Sequence, residues 1–267
     1  MNLTDRSSHF EFGQNWASYS KLVDEGRIAS AAANVAELCG NLEGKSFLDI
    51  GSGSGLLSCA ALKLGAARVL AVDIDENSVN TTRAMLSGRP GNWEARRISV
   101  FELPEQGLGT FDVVYSWGVL HHTGDMWKAI DAAAAMVKQG GTFVFALYAK
   151  TPLCNAWRLE KRIYRRSPRL VQKAAQYAYF AVYSLGLLMS GQNPMKKLRS
   201  ERQRGMDTMH DIHDWMGGYP YESTSPEEVD AHLRPLGFEV VKTKPVKPAA
   251  FGLLGSGCSE YVYRRTR

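Results

Sequence analysis

The stretch KSFLDIGSGSGLLSCAALKLGA, residues 45–66, joins a short apolar run to an apolar helix-like segment through a glycine-rich turn. Such a strand–turn–helix unit lets a ligand approach backbone N–H groups without obstruction by side chains. The dinucleotide pattern G-x-G-x-x-G does not fit, because the third glycine is Gly55 and Leu56 stands at the position required for it. Asp49, two residues before Gly51, disfavours a pyrophosphate. The stretch therefore predicts a ligand whose head group is positively charged.

The composition is that of a folded globular domain. Hydrophobic residues make up 45% and charged residues 22% of the 267-residue chain, and the net charge of +5 permits an anionic partner without requiring one. The four cysteines show no C-x-x-C spacing, which predicts separate thiols in a reducing compartment. The N-terminal residues lack the apolar core of a signal peptide, and polar residues interrupt the apolar run at 174–191. We therefore expect a cytoplasmic protein.

Short apolar runs alternate with helix-like segments between residues 45 and 148, a pattern typical of a parallel sheet built from βαβ units. The predicted strands are SFLDI (46–50), RVLAVD (68–73), RISV (97–100), FDVVYS (111–116) and GTFVFALY (141–148). The segment MWKAIDAAAAMVKQGG (126–141) is expected to form a helix that ends on its glycine pair. A last helix (225–237) precedes two strands, FEVVKTK (238–244) and SEYVYRR (259–265), which are expected to pair antiparallel.

Two further motifs suit a ligand that contains adenosine. The second predicted strand ends in Asp73, whose carboxylate can accept hydrogen bonds from both ribose hydroxyls. Ile74, the next residue, can offer an apolar face to adenine. The segment FDVVYSWGVLHHTG (111–124) runs from a strand into a turn at Ser116 and Trp117 and then into a helix, with His121 early on that helix.

The motifs FLDIGSGSG, AVDID, FDVVYSWGVLHH and VKQGGTFVFALY, in this order and spacing, resemble those of the class I S-adenosylmethionine-dependent methyltransferases. They are most similar to the small-molecule enzymes of the ubiquinone-biosynthesis type. The resemblance implies a Rossmann-like α/β fold with a seven-stranded, mostly parallel sheet, an antiparallel C-terminal strand pair, helices on both faces and a helical insertion after the fifth strand. It also implies S-adenosylmethionine as the cofactor and S-adenosylhomocysteine as the product.

The resemblance further implies which residues bind the cofactor: Arg27, Asp49, Gly51, Ser52, Gly53, Gly55, Asp73, Ile74, Ser99, Val100, Ser116 and Trp117. In that scheme Asp49 meets the methionine amino group and Asp73 holds the ribose. Arg27, in the segment DEGRIA, is a candidate for the methionine carboxylate, with a solvated helix arginine as the alternative. The family often carries an acid near the adenine ring, and this chain departs from that pattern with the sequence SVFE.

The sequence motifs identify the catalytic residues less clearly than the cofactor site. Methyl transfer from a sulfonium is an in-line displacement, so a base is needed only when the acceptor is a hydroxyl or a weakly acidic carbon. His121 is one candidate, because the related cyclopropane-synthase group carries an active-site acid at the matching position. The segment HDIHDW supplies His210, His213 and Asp214, which can share a helix face. An acid–base role, a metal site and a hydrogen-bonded structural loop remain alternatives for this segment.

We expect one methyltransferase domain made of four segments. These are an N-terminal helical lid (1–43), a cofactor-binding core (44–148), a helical insertion that covers the substrate (149–224), and the last helix with the strand pair (225–267).

The composition of the insertion indicates the kind of acceptor, because an apolar run lies between two basic segments. The basic residues are Arg158, Lys161, Arg162, Arg165, Arg166, Arg169, Lys196 and Lys197. This pattern favours a small-molecule or lipid-linked acceptor and a peripheral membrane contact through residues 158–199. Nucleic acid is not expected as a partner, because neither a separate RNA-binding module nor an Asn-Pro-Pro-Tyr-like signature occurs. An RNA methyltransferase and a non-catalytic, cofactor-binding partner subunit are the alternatives.

Overall fold

Seven strands form one sheet in the structure, a computed structural model that describes residues 12–20, 22–189, 191, 193–195, 208–248, 252–253 and 255–267. The strands are β1 (Ser46–Ile50), β2 (Arg68–Asp73), β3 (Trp93–Arg97), β4 (Phe111–Trp117), β5 (Val137–Tyr148), β6 (Phe238–Lys244) and β7 (Cys258–Arg265). Their order is β3-β2-β1-β4-β5-β7-β6. β1 to β5 run parallel, whereas β7 pairs antiparallel with both β5 and β6. The predicted sheet and its antiparallel C-terminal pair are confirmed.

Helices cover both faces of this sheet. They are α1 (Phe12–Ser20), α2 (Glu25–Cys39), α3 (Leu56–Lys63), α4 (Glu76–Leu86), α5 (Met126–Ala135), α6 (Cys154–Arg166), α7 (Arg169–Met189), α8 (Thr208–Gly217) and α9 (Pro226–Leu233). One core joins alternate strand residues to α5 and α9, and a second core joins the opposite strand face to α2 and α3. Both faces of the central strands are therefore buried, which is why these strands read as continuous apolar runs in the sequence.

The strand order reverses between β1 and β4, where the chain crosses from one half of the sheet to the other. Open α/β sheets bind ligands at such a switch point, beyond the carboxyl ends of the strands. The glycine turn after β1 and the turn after β4 meet there, since Val119 packs against Gly51. The topology thus brings the two motifs together.

The prediction for the third strand was wrong in position. The strand lies at Trp93–Arg97, and a 3₁₀ helix (Val100–Glu105) follows it. β3 is an edge strand whose residues alternate in exposure around the buried Ala95, so it lacks the apolar run on which the prediction relied. The apolar residues Ile98 and Val100 instead leave the sheet and pack into the core.

The boundary between α5 and β5 also differs from the prediction. α5 ends at Ala135, and Val137 already pairs with Phe111 in β5. The predicted terminal glycine pair therefore lies inside a strand, at a register shift in its pairing with β4. The fully buried side chain of Val137 explains the early start, because it fills the core beneath β4.

The segment after β5 is helical, as expected, and returns to the sheet beside the end of β5. Ala149 forms an isolated bridge with Thr224, and Thr224 N donates a hydrogen bond to the Tyr148 carbonyl at 3.0 Å. α6 and α8 are thereby held next to the carboxyl ends of β4 and β5. Among the described helices, none combines the length and the apolar character needed to cross a membrane.

Asp112 ties the start of β4 to the start of β1. Its carboxylate accepts hydrogen bonds from the backbone N–H of Ser46 at 3.0 Å, from Ser46 Oγ at 2.7 Å and from Lys138 Nζ at 2.9 Å. These bonds, with the Ser46 N–H first, lower the pKa of Asp112 from 3.8 to about 2. The folded state therefore favours the ionised carboxylate.

We expect Asp112→Asn to lower the free energy of unfolding by about 1–2 kcal/mol at pH 7, because hydrogen bonds to a charged acceptor are lost. Since the folded pKa lies below the unfolded one, the wild-type advantage is complete above about pH 4 and is lost as the pH falls through about 2. Urea denaturation of both proteins between pH 7 and 2.5 measures this. Glu105→Gln, at an exposed position, is the control, and a difference between wild type and Asp112→Asn that does not shrink with acid would contradict the assignment.

Candidate cofactor and acceptor site

The turn after β1 needs glycine at two positions for steric reasons. Gly51 has φ +76°, and an added Cβ would overlap the side chain of Val119. Gly53 has φ +52°, and an added Cβ would lie 3.2 Å from ring atoms of Trp16. Both conformations are strained for other residues, and both positions are closely approached by side chains from other elements. The turn is therefore a tight junction of β1, β4 and α1.

The turn is not an anion-binding cradle, because its amide groups are already used. Hydrogen bonds within the protein engage the backbone N–H groups of Gly51, Ser52, Gly53 and Gly55. The first two donate to the Val72 carbonyl at 2.8 and 3.0 Å, and the third donates to a carboxylate oxygen of Asp73 at 3.1 Å. A phosphate needs free N–H groups at such a turn. This geometry agrees with the argument against a pyrophosphate ligand.

Asp49 is the buried acid of the site. Only 1% of the residue is exposed, and its carboxylate accepts a hydrogen bond from Ser58 Oγ at 2.6 Å. Burial raises the pKa of Asp49 from 3.8 to about 6, Ser58 opposes the rise, and the nearby charge of Asp73 adds to it. The ionised form of such a buried carboxylate is stabilised by a cation, because pairing with the cation offsets the loss of hydration.

Arg27 supplies the opposite charge. Its guanidinium lies 5.8 Å from the ring centre of Tyr19, and its Nη1 is buried without a hydrogen-bond partner in the described structure. Tyr19 in turn contacts Trp16, which covers Gly53. A buried guanidinium N–H without a partner is costly unless an acceptor such as a carboxylate binds it. Asp49 and Arg27 together suit a zwitterion, with an ammonium for one and a carboxylate for the other.

Asp73 lies at the end of β2, where the ribose was expected. Each of its oxygens accepts one backbone hydrogen bond, from Gly53 N at 3.1 Å and from Asp75 N at 2.9 Å. These two bonds orient the carboxylate at the end of β2, and a carboxylate is an acceptor-only group of the kind that ribose hydroxyls require. Ile74 follows in the same turn, half-buried, and its carbonyl accepts a hydrogen bond from Arg97 Nε at 3.1 Å.

Ser99 and Val100 lie at the start of the 3₁₀ helix after β3. Ser99 forms a capping box with Glu102, whose carboxylate accepts a hydrogen bond from Ser99 N at 3.0 Å. Val100 is buried in the core. Ile98 N donates to the Asp73 carbonyl at 3.1 Å, so this turn adjoins the end of β2. Glu102, the acid nearest to the expected adenine position, is therefore used for capping.

Ser116 and Trp117 end β4 and differ in environment. Ser116 is fully buried, and its hydroxyl donates to the Ile50 carbonyl at 3.2 Å. Trp117 is 38% exposed and stacks on Tyr115 with ring centres 5.9 Å apart. Ser116 thus fixes β4 to the start of the glycine turn, and Trp117 offers a partly open aromatic face beside it.

His121 lies in a 3₁₀ turn (Leu120–His122) after β4 rather than early on a helix, as was expected. It is fully buried, its ring centre lies 3.9 Å from that of Tyr148, and neither ring nitrogen has a hydrogen-bond partner of normal geometry in the described structure. Burial, first, and then His122 and Lys161 lower the pKa of His121 well below 6.5, while the Ala146 backbone opposes this. The imidazole is therefore neutral.

The HDIHDW residues do not converge on His121. In α8, His213 Nδ1 lies 2.7 Å from Tyr164 Oη and 2.9 Å from Gln176 Nε2, which links α8 to α6 and α7. Asp214 is half-buried, and its carbonyl accepts a hydrogen bond from Gly218 N at 2.9 Å. The side chain of His210 lies outside the described residues. Within the described part of the chain, no three His, Cys, Asp or Glu side chains gather as a metal site.

Comparison with known proteins matches residues 48–143 to the family model of a methyltransferase domain. The ubiquinone biosynthesis O-methyltransferase of Bordetella avium is 34% identical over 118 residues, which are 44% of this chain and 48% of that protein. A S-adenosylmethionine-dependent methyltransferase from Aquifex aeolicus has the same fold at 15% identity, with a TM-score of 0.52 over 94% of this chain and 98% of that one. Residues 48–143 of this chain are therefore similar to a methyltransferase domain.

A third relative shares the fold and carries a ligand. The magnesium protoporphyrin IX methyltransferase of Synechocystis PCC 6803, solved with bound S-adenosylhomocysteine, is 18% identical with a TM-score of 0.51 over 89% of this chain and 81% of that one. The amino-acid end of S-adenosylhomocysteine is a zwitterion, and this is the charge pattern that Asp49 and Arg27 suit. The chain spans about half the length of the curated relatives it matches.

The insertion after β5 carries a buried lysine at a position that the sequence predicts to be exposed. Lys161 was expected among the basic residues that face a membrane, but none of it is exposed, and its Nζ donates to the Trp215 carbonyl. The spacing of Cys154, Trp157, Lys161 and Tyr164 along α6 would have predicted an inward face, because these positions recur with helical periodicity. The charge of Lys161 led instead to the prediction of an exposed position.

If Asp49 pairs with the methionine ammonium, the affinity for S-adenosylmethionine must depend on its ionisation. We expect the affinity to be constant above about pH 7 and to fall as the pH drops below about 6, because the protonated carboxyl loses its charge. Calorimetric titrations between pH 7.5 and 5 measure this. Asp49→Asn should bind weakly at every pH in this range, and a pH-independent wild-type affinity would contradict the pairing.

Proposed function

We propose that this protein is a S-adenosylmethionine-dependent methyltransferase that methylates a small-molecule or lipid-linked acceptor. The observation that carries the proposal is the presence of two opposite charges that the protein leaves unpaired, the buried carboxylate of Asp49 and the buried Nη1 of the half-buried Arg27. Asp49 lacks a cation and Arg27 Nη1 lacks an acceptor in the described structure, and the amino-acid end of S-adenosylmethionine supplies both groups. The homology of residues 48–143 to a methyltransferase domain supports the same conclusion.

The protein's own part in the reaction is to hold and cover the cofactor. Bound S-adenosylmethionine supplies an electrophilic methyl group on a sulfonium. Asp49 and Arg27 fix the methionine end, Asp73 accepts hydrogen bonds from the ribose, and Ile74 lines the adenine. Residues 1–43 are the proposed lid; residues 1–11 lie outside the described residues, and the described helix α1 supports the proposal because it packs Trp16 over Gly53. Positioning of this kind can contribute about 7–11 kcal/mol to lowering the barrier.

We assign the acceptor end to the region covered by the insertion, residues 149–224. His121 is the proposed base for a hydroxyl acceptor, because its imidazole is neutral and neither ring nitrogen has a hydrogen-bond partner of normal geometry in the described structure. The names of the curated relatives, which are O-methyltransferases, support an oxygen acceptor. His213 is a weaker candidate, since Tyr164 and Gln176 both lie within hydrogen-bonding distance of its Nδ1.

A peripheral membrane contact is the second part of the proposal. Seven large apolar residues on α7 are more than half exposed: Leu170, Val171, Tyr177, Val182, Leu185, Leu188 and Met189. They fall within a sector about 140° wide on the helix, counting about 100° per residue. Exposed basic residues, Arg166, Arg169 and Lys173, lie at its N-terminal end. An apolar stripe with basic flanks suits an anionic lipid surface, and Lys196 and Lys197 lie outside the described residues.

RNA is the less favoured partner, because several of the basic residues serve the fold. Arg158 Nε donates to the Tyr221 carbonyl at 3.2 Å, and Arg162 donates to Tyr219 Oη at 3.2 Å. Lys161 is buried. The exposed stripe on α7 is apolar, and phosphate recognition gains nothing from such a surface.

The function is tested by cofactor binding followed by methyl transfer. Wild-type protein should bind S-adenosylmethionine and S-adenosylhomocysteine but not NAD in calorimetric titrations. It should then transfer labelled methyl from S-adenosylmethionine to a member of a panel of phenols, quinols and lipid-linked hydroxy compounds. Failure to bind either sulfur compound would refute the proposal, and binding with no transfer across the panel would favour a non-catalytic subunit.

His121→Asn should bind S-adenosylmethionine with wild-type affinity but lower kcat about 10²- to 10⁴-fold, because it removes a general base. His232→Asn, which alters a surface histidine bonded to Asp131, is the matched control and should retain wild-type kcat. Full activity of His121→Asn would exclude His121 as the base while leaving the methyltransferase assignment intact.

The membrane contact is tested by sedimentation with vesicles. Wild-type protein should bind phosphatidylcholine vesicles that contain phosphatidylglycerol, more weakly at high salt, and should not bind pure phosphatidylcholine. Leu185→Glu should lose most of this binding, because it charges the centre of the apolar stripe. Val241→Glu alters an equally exposed residue on β6 (54% against 57% for Leu185) and should bind normally. Equal binding by all three proteins would refute the contact through α7.

A further inference from the structure

Lys161 occupies a closed aromatic cage at the point where the insertion meets the sheet. Its Nζ lies 3.6 Å from the ring centre of Trp215 and 5.3 Å, 5.8 Å and 6.0 Å from those of Tyr221, Trp157 and Tyr148. The ammonium donates a hydrogen bond to the Trp215 carbonyl. Four ring faces and one carbonyl thus replace water around this cation.

Tyr148 connects this cage to the proposed base. It ends β5, contacts Lys161 through its ring and stacks on His121, whose ring centre is 3.9 Å away. His122 packs edge-on against the same tyrosine at 5.2 Å, and its Nδ1 lies 2.7 Å from the Pro220 carbonyl oxygen. One aromatic ring therefore separates a buried cation from a buried imidazole.

We propose that Lys161 is a positioning residue for the acceptor end of the site, whose caged cation keeps the His121 imidazole uncharged and fixes the Tyr148 ring beside it. Lys161 is not itself the base, because its Nζ is enclosed by the cage and bonded to Trp215. The proposal rests on the proposed function for the role of His121. The effect of Lys161 on the charge of His121 is independent of the proposed function.

The electrostatics of the cluster support this assignment. Lys161 and His122 both lower the pKa of His121, and both act in addition to burial. Burial lowers the pKa of Lys161 itself, and the charge of Glu160 opposes that effect. Burial raises the pKa of the neighbouring Glu160, and the pKa of His121 is lowered to below that of Lys161. As the pH falls, Lys161 is therefore protonated before His121, and its charge then disfavours a second positive charge on the imidazole.

Other ionisable groups face the cluster and must be considered. Glu160 acts on Lys161, whereas Cys258, Tyr221, Asp214 and Tyr179 act on Tyr148. His122 acts on His121, and Glu222 N donates a hydrogen bond to the His121 carbonyl. Burial raises the pKa values of Glu160, Tyr148, Tyr221 and Cys258, so the tyrosines and the cysteine stay neutral near pH 7. Lys161 is the group beside His121 whose positive charge can be deleted while every histidine is retained.

The experiment reads the charge of His121 directly and needs neither cofactor nor acceptor. Full-length protein with ¹³C-labelled histidine is titrated by NMR between pH 8.5 and 5, and the His121 signal is assigned by its loss in His121→Asn. In wild type the signal should remain that of a neutral ring to the lowest pH at which the protein stays folded. In Lys161→Met the pKa of His121 should rise by about one unit or more, because a buried charge has been removed.

Two variants separate this effect from a loss of packing. Lys161→Arg keeps the charge and should keep the His121 pKa low, whereas Lys128→Met deletes an exposed lysine charge and should leave it unchanged. An unchanged His121 pKa in folded Lys161→Met, or an equal rise in Lys161→Met and Lys161→Arg, would overturn the proposal. If the His121 pKa depends on Lys161 as expected but the protein transfers no methyl group, only the proposed function is contradicted.

If Lys161→Met does not fold, the wild type still decides the matter. Labelled lysine reports the titration of Lys161 Nζ. Over the same pH range the His121 ring should stay neutral, but its NMR signal should shift because the charge beside it changes. A Lys161 titration that leaves the His121 signal unmoved would overturn the proposal.

Discussion

The buried carboxylate of Asp49 is the constraint on which the cofactor site depends. An acid that is only 1% exposed, at the end of the central strand and with a pKa raised to about 6, is tolerated only where a partner stabilises its charge. Ser58 provides one hydrogen bond, and the cation has to come from a ligand. Because β1 stands at the point where the strand order reverses, this need for a cation lies where the fold opens to ligands. The same strand end leads into the glycine turn, so the charge of Asp49 lies at the place where a ligand can enter.

The hydrogen bonds of the turn give it a role different from that of a phosphate loop. Its N–H groups bind Val72, Asp73 and Ser52, so the glycines serve close packing rather than anion binding. Val119 and Trp16 use the space that the missing side chains leave. The turn therefore couples β1 to the element after β4 and to the N-terminal helix, and a ligand in this site contacts all three.

The acceptor region depends on a second buried charge. Lys161 is held by aromatic rings from α6, α8, β5 and the loop after α8, and these same rings join the insertion to the sheet. α6 consequently has two different faces: an inner one with the buried Cys154 and Lys161 and the half-buried Trp157, and an outer one with Leu159 and Ile163, each 58% exposed. The next helix, α7, carries the exposed apolar stripe. The insertion thus connects a buried polar site to an exposed apolar surface.

The sequence by itself determined the sheet and indicated the class of cofactor, because glycine spacing, strand-end acids and buried apolar runs are local signals. The cofactor residues that it names remain a prediction. It misplaced β3, whose edge position leaves it without an apolar run, and the start of β5, where the core contact of Val137 overrides the turn preference of the glycine pair. Only the tertiary structure decided that His121 lies against Tyr148, that His213 lies between Tyr164 and Gln176, and that Lys161 is buried. These outcomes depend on contacts between residues far apart in the chain, and a charged or ionisable side chain does not reveal in sequence which partners will remove it from water.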